Sequence, residues 1–350
     1  MEAYTEAGQI VLGGNARQRF YDARGYGRPL GGNEIALSRV EAAHLLLRGD
    51  LDAVDGMDFT EFFEMAPEAG FVPRFLVYAD LRDRGFYLSP AREPRIDDPD
   101  DEVDFIVYAR GTGPESGDVA HRVRVVDERE SIASTSLGDH VLAVVDEESE
   151  VTYFETDRPG FDGETTVSLP EAIEGSLLTD RAVCWAPPAA LYERAFYGQP
   201  LAERVDDVDA VQFSLVEAAQ LVETDVLDLE GGLEAVVERG RAVEGERFDR
   251  RLQVYSDLRH RGVVPKTGFK FGADFRTYAN VESVDDLGHS ERLVRVVPSG
   301  SEFTPRELAL DVRMAHGVRK DLIVAWPDGD DGGASSRGAV HYVRIRRLTP

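Results

Sequence analysis

The chain is written twice. "RFLVYADLRDRGFY" at 74–87 returns as "RLQVYSDLRHRGVV" at 251–264, and "LSRVEAAHLL" at 37–46 returns as "FSLVEAAQLV" at 213–222. Three shorter echoes keep the same order: "GYGRPL" (25–30) with "FYGQPL" (196–201), "DFIVYA" (104–109) with "DFRTYA" (274–279), and "HRVRVV" (121–126) with "RLVRVV" (292–297). This period is far longer than the roughly 20–45 residues of a solenoid unit. It implies two copies of one domain-sized unit, over about 8–155 and 175–350, so the fold has to exist twice in one chain.

Inside each unit the pattern changes class part-way. Short strand-like pieces lead to a helix announced by Ser38-x-x-Glu41 or Ser214-x-x-Glu217, capping boxes that satisfy the free N–H groups of a helix start. A second helix carrying Tyr-x-Asp-Leu-Arg-x-Arg-Gly is closed by Gly85 or Gly262, and alternating strands follow it. In the second copy Thr304, Pro305 and Glu307 open a further helix, after which come the apolar strand "LIVAW" (322–326) and "AVHYVRIRR". The expected organisation is α+β then α/β, twice: an N-terminal subdomain at 1–70, an α/β subdomain at 71–156, a Gly/Pro/acidic linker at 157–174, a second N-terminal subdomain at 175–247 and a second α/β subdomain at 248–350.

Sixty-six acidic against thirty-nine basic residues give a formal charge of −27, spread along the chain as a solvating surface is. Such a lysine-poor, acidic composition resembles proteins of high-salt cytoplasm, where dense carboxylates hold water and their repulsion is screened. The lone Cys184 excludes a disulfide framework within one chain, and the absence of a membrane-length apolar run points to a cytoplasmic protein without a membrane partner. Charge this negative argues against a polyanion ligand until its distribution is considered. Residues 246–350 carry 18 basic and 15 acidic groups, so the C-terminal third alone is positive and is the candidate surface for nucleic acid.

Duplication supplies an internal control: what both copies keep is scaffold, and what one copy alone carries is a candidate for function. Asp80/Asp257, Arg82/Arg259, Arg84/Arg261 and Gly85/Gly262 are shared. "KTGFKFGADFRTY" has no counterpart before its last residues, His289 falls opposite a position near Asp118, and Lys320 is aligned with Asp139. Tyr278 does have a counterpart, Tyr108. Lysine is almost absent otherwise; Lys266, Lys270 and Lys320 are the only three.

The run "YSDLRHRGVVPKTGFKFGADFRTYAN…GHSERLVRV…VRKDLIVAW" resembles the archaeal tRNA-splicing endonucleases, and the duplication resembles their two-repeat form, which assembles as a homodimer. The resemblance implies nuclease-like α/β subdomains with mixed sheets, a degenerate first copy, and a catalytic Tyr278, His289 and Lys320 in the second. It implies a substrate, precursor tRNA folded as a bulge–helix–bulge at the intron boundaries, cut without cofactor or metal. Arg313 matches the first of an arginine pair that clamps a bulged base, with Arg344 and Arg346 as candidates for the second; Lys266 and Lys270 are candidate phosphate contacts. The acidic turn Asp146, Glu147, Glu148, Glu150 is expected to dock on the basic part of a partner chain.

Two other readings compete. A metal-dependent DNA nuclease would use Asp274 as a ligand, although Asp104 repeats it and no second strand carboxylate beside a lysine completes a cluster. A non-catalytic RNA-binding subunit is the role expected for the first copy, and retention of all three residues in the second argues against it for the whole chain. Taken singly, Tyr278 reads as a half-buried strand tyrosine, His289 as a turn residue and Lys320 as a solvated helix end. Their occurrence together in one copy carries the argument.

Overall fold

The computed structural model describes residues 1–65, 69–91, 102–201, 209–328 and 338–350. Most of the insertion-like "DGDDGGASSRG" (328–338) lies outside the described residues. The structure has the mixed α/β and α+β character expected, and each repeat opens with its own small antiparallel-dominated sheet. Its principal feature was not anticipated: the two α/β halves share one ten-stranded sheet.

Numbered in chain order, the strands of that sheet are β1 (Leu88–Pro90), β2 (Phe105–Tyr108), β3 (Val119–Asp127), β4 (Val141–Val145), β5 (Val151–Asp157), β6 (Val264–Thr267), β7 (Phe275–Tyr278), β8 (Arg292–Val296), β9 (Asp321–Pro327) and β10 (Val340–Leu348). They lie in the order β6-β7-β8-β9-β10-β5-β4-β3-β2-β1, a palindrome about the β10/β5 seam. Only β8/β9 and β3/β4 are parallel; the other neighbours run antiparallel. Joining the repeats edge to edge removes two exposed strand edges that would otherwise invite pairing with other chains. At the seam Glu155 stands opposite Arg346 and Asp157 opposite Arg344.

The helices form where their caps direct. Ser38, Ser214 and Thr304 each accept from the third backbone N–H of the helix they begin, and the reciprocal Glu41, Glu217 and Glu307 bonds are all made. These helices are α1 (Arg39–Leu47), α3 (Leu215–Glu223) and α5 (Pro305–Gly317); α2 (Phe71–Asp83) and α4 (Arg247–His260) carry the repeated Tyr-x-Asp-Leu-Arg motif. Helices α2 and α4 pack on one face of the great sheet through Tyr78 and Tyr255.

The other face is asymmetric. Helix α5 has no counterpart in the first repeat, where a three-residue turn at Ser134–Ser136 stands between β3 and β4. Leu308, Val312 and Ala315 of α5 therefore cover residues from both copies, including Leu142, Val144 and Phe154 of the first and Leu322, Val324 and Trp326 of the second. Among the described residues no helix is long and apolar enough to cross a membrane.

Candidate active site

Strand order brings three separated stretches of sequence to one end of the sheet. Tyr278 ends β7, His289 and Ser290 approach β8, and Lys320 stands immediately before β9. Because β7 is antiparallel to β8 and β8 parallel to β9, the end of the first and the beginnings of the other two coincide. Backbone bonds tie that end together: Glu291 N donates to Thr277 O at 3.0 Å and Asp321 N donates to Glu291 O at 3.1 Å.

Lys320 is delivered by the end of α5. Arg319 takes the left-handed region with φ of 58°, turning the chain out of the helix. The Lys320 ammonium donates to the carbonyl of Ser290, next to His289, and lies 5.7 Å from the Phe271 ring centre. Burial, with the nearby Arg276 guanidinium, holds its pKa below that of an ordinary lysine; Glu291 opposes this.

Tyr278 is 6% exposed and edges onto Phe196, ring centres 5.8 Å apart. The Arg276 guanidinium sits 5.7 Å from its ring centre, so one arginine neighbours both Tyr278 and Lys320. In the first copy the Tyr108 hydroxyl donates to Ser89 Oγ at 3.1 Å, whereas the Tyr278 hydroxyl has no hydrogen-bond partner among the described residues. Position 266, which corresponds to 89, holds a lysine committed elsewhere. His289 is exposed on its loop.

The structure re-registers one comparison between the copies. Val294 pairs with Ile323 in β8/β9, as Val123 pairs with Val141 in β3/β4. Tyr342 donates to Asp257 at 2.7 Å, as Tyr153 donates to Asp80 at 2.6 Å. Both registers place Gly138, rather than Asp139, at the position of Lys320.

The candidate RNA contacts divide. Lys266 is only 10% exposed and is spent inside the protein: its ammonium donates to Glu217 Oε1 at 2.7 Å, Gly198 O at 2.9 Å and Phe196 O at 3.3 Å. Its assignment as a phosphate contact is corrected, because all three donors are satisfied by acceptors of this chain. Lys270 is exposed on the turn Phe269–Phe271 and forms no ion pair among the described residues.

Arg344 pairs with Asp157 at 2.5 Å and Asp321 at 3.3 Å, and Arg346 with Glu155 at 2.6 Å. They stitch the seam between repeats, and strand alternation places them on the sheet face away from α5. Arg313 is exposed on α5 and lines a groove of about 500 Å³ together with Arg306, His316 and Arg347. Arg347 was not singled out from sequence. Alternation along β10 is the signal that finds it, since it shares the face of Val343 and Ile345 that packs toward α5.

Asp274 bears on the metal reading. Its carboxylate pairs with Arg247 at 2.6 Å and Arg251 at 3.1 Å and accepts from Val296 N at 2.8 Å. Asp104 accepts from Val125 N at 2.8 Å in the same way, so this aspartate is a scaffold element of both copies. The acidic turn between β4 and β5 is held by Asp146 Oδ1, which accepts from Glu148 N at 3.0 Å and Glu150 N at 2.9 Å and leaves the glutamates exposed.

The catalytic C-terminal domain model of the tRNA intron endonucleases matches residues 248–334, which include Tyr278, His289 and Lys320, and the N-terminal domain model of the same family matches twice, at 1–64 and 173–239. A tRNA-splicing endonuclease of Haloarcula marismortui is 56% identical over 350 residues and all of both chains. The chain belongs to the tRNA intron endonuclease family. It is an endonuclease of the class that excises tRNA introns. A tRNA-splicing endonuclease of Natronomonas pharaonis is also 56% identical over 351 residues, and one of Methanococcoides burtonii is 34% identical over 374 residues covering 99% of each chain. The high similarity to relatives from salt-loving organisms agrees with the acidic, lysine-poor composition of this family member.

Proposed function

We propose that this endonuclease excises introns from precursor tRNA at bulge–helix–bulge motifs, as a homodimer, by metal-independent transesterification. The observation that carries the reading is the gathering of Tyr278, the His289–Ser290 loop and Lys320 at one end of β7, β8 and β9, with Lys320 bonded to that loop.

RNA holds its own nucleophile. Tyr278 takes the proton of the 2′-hydroxyl as the 2′ oxygen attacks the adjacent phosphorus. Lys320 neutralises charge gathering on the equatorial oxygens, and does so as a compact ammonium in a partly desolvated position. As the bond from phosphorus to the 5′ oxygen breaks, His289 supplies the proton that the leaving oxygen needs. The products are a 2′,3′-cyclic phosphate and a 5′-hydroxyl end, with every proton and bond accounted for. Arg276 supports the base role by setting positive charge beside the phenol ring.

The α5 groove extends this site. Arg306, Arg313 and Arg347 carry no ion pair among the described residues, in a chain of charge −27, and suit unpaired bases and phosphates. Two chains are needed because one competent copy per chain faces two scissile bonds, and the acidic Asp146–Glu150 turn docks on the basic third of the partner. The experiment is substitution within each copy. His289→Ala and Lys320→Ala slow cleavage while folding and RNA binding persist, and Tyr278→Phe does the same where Tyr108→Phe does not. Equal damage from Tyr108→Phe would refute the division between copies.

A further inference from the structure

The segment between the repeats, expected to be a plain linker, is built against the active-site end of the sheet. Along it burial alternates: Phe161, Gly163, Thr165, Val167 and Leu169 turn inward, and the residues between them are exposed. Phe161 is 2% exposed, with its ring centre 4.5 Å from that of Tyr342 and the Arg292 guanidinium 4.4 Å over it. Arg292 also donates to Gly160 O at 2.8 Å.

From this anchor the chain bonds to both sides of the Tyr278 strand end. Gly163 N donates to Arg261 O at 2.8 Å and Thr165 N to Gly262 O at 3.1 Å. Glu164 N donates to Ala279 O at 2.8 Å, and Thr165 Oγ1 accepts from Val281 N at 2.9 Å. Ala279 and Val281 are the first and third residues after Tyr278. The approach leaves no room for a side chain: a Cβ on Gly163 would lie 2.2 Å from Gly262 O.

The first copy again serves as control. A Cβ on Gly85, the counterpart of Gly262, would meet nothing within 4 Å among the described residues. The carbonyl of Ala109, counterpart of Ala279, accepts from Thr112 in its own turn at 3.0 Å. The strap therefore lies on the catalytic copy, and the loop it holds is the one that leaves Tyr278.

We propose that residues 160–165 are a positioning strap that fixes the Tyr278 strand end against the His289 loop and Lys320, with Thr165 as its polar clasp. This rests on the reading of Tyr278 as the base. Geometry near reacting atoms is exacting, and a displacement of about 1 Å can cost on the order of a hundredfold in rate. Thr165→Val keeps the shape and removes the acceptor of Val281 N; Thr165→Ser keeps the hydroxyl.

The test is single-turnover cleavage of an intron-containing precursor tRNA by the full-length enzyme, with melting temperature and RNA binding measured on the same samples. Thr165→Val is expected to lower the maximal rate about ten- to a hundredfold at unchanged half-saturation, and Thr165→Ser to restore it. A Thr165→Val enzyme that cleaves like wild type, or a loss shared equally by Thr165→Ser, or one that follows melting temperature or RNA binding, overturns the strap. Tyr278→Phe is run in parallel. If it is inactive while Thr165→Val is normal, the strap alone fails; if it cleaves normally, the base role and the strap fall together.

Discussion

Lys266→Met should destabilise the second repeat while leaving RNA affinity unchanged. Methionine keeps most of the aliphatic stem and loses an ammonium that serves Glu217 Oε1, Gly198 O and Phe196 O. Glu217 would then be a carboxylate, 10% exposed, retaining the N–H groups of Ser214 and Gly198 and the Ser214 hydroxyl but losing its bonded counter-charge. Removing one partner of a buried ion pair costs about 3–5 kcal/mol, or about two to four powers of ten in the folding equilibrium. That is a large share of the roughly 5–15 kcal/mol that holds a domain together.

The pH dependence has a definite sign. In the wild type, burial pushes the Glu217 carboxyl up, but Lys266 and the backbone N–H groups outweigh it and hold its pKa below the ordinary value. The pair's stabilisation is therefore full above the unfolded carboxyl pKa and lost as pH falls through the folded one. Without Lys266 the burial remains, the carboxyl pKa rises, and the protonated form is tolerated at low pH. The deficit of Lys266→Met should be greater at pH 8 than at pH 5.

Both tryptophans, Trp185 and Trp326, belong to the second repeat, so fluorescence-detected denaturant unfolding in molar salt reads the right unit. Adding Glu217→Gln to Lys266→Met should recover much of the loss. A variant as stable as wild type at pH 8 but weaker in RNA binding would refute the reasoning and return Lys266 to the RNA surface.

Three further outcomes are expected. With 13Cε-labelled lysine the protein has only three such sites, and the Lys320 resonance should titrate below the ordinary lysine range, moving up in Arg276→Ala. Burial lowers His44 to a pKa of about 4, so its neutral form contributes stability that is full above the unfolded value of about 6.5 and falls as pH drops toward 4; urea titrations should show His44→Gln losing this part of the acid sensitivity. Neutralising the acidic turn as Asp146→Asn with Glu147, Glu148 and Glu150→Gln keeps the acceptor that shapes the turn, and should weaken dimerisation and cleavage in parallel by sedimentation and assay.

The repeat, the capping boxes and the strand identities were legible because each is a local pattern with a local cause. Ser214 and Glu217 specify a helix start wherever the chain goes next. The candidate triad was legible through the resemblance to the tRNA-splicing endonucleases, and the lack of His289 and Lys320 counterparts in the first copy set it apart from scaffold, whereas Tyr278 is matched there by Tyr108. What stayed hidden was set by tertiary pairing. Nothing local says that β5 and β10 will join, so Arg344 and Arg346 read as free cations until Asp157 and Glu155 stand opposite them. Lys266 read as a surface lysine because its partner, Glu217, had already been assigned to a cap. Arg347 and the strap did leave a period-two signal, in "VRIRRL" and in "FDGETTVSL", but a period becomes informative only when the face it turns inward is known.

The central claim is cleavage of RNA by Tyr278, His289 and Lys320 without a metal. It is tested most directly by incubating saturating purified protein with an intron-containing precursor tRNA in molar salt and excess EDTA, then analysing the new ends. The account predicts excision of the intron with 2′,3′-cyclic phosphate and 5′-hydroxyl termini. Intact RNA in EDTA that is cut once magnesium is restored, or 5′-phosphate ends, would contradict it.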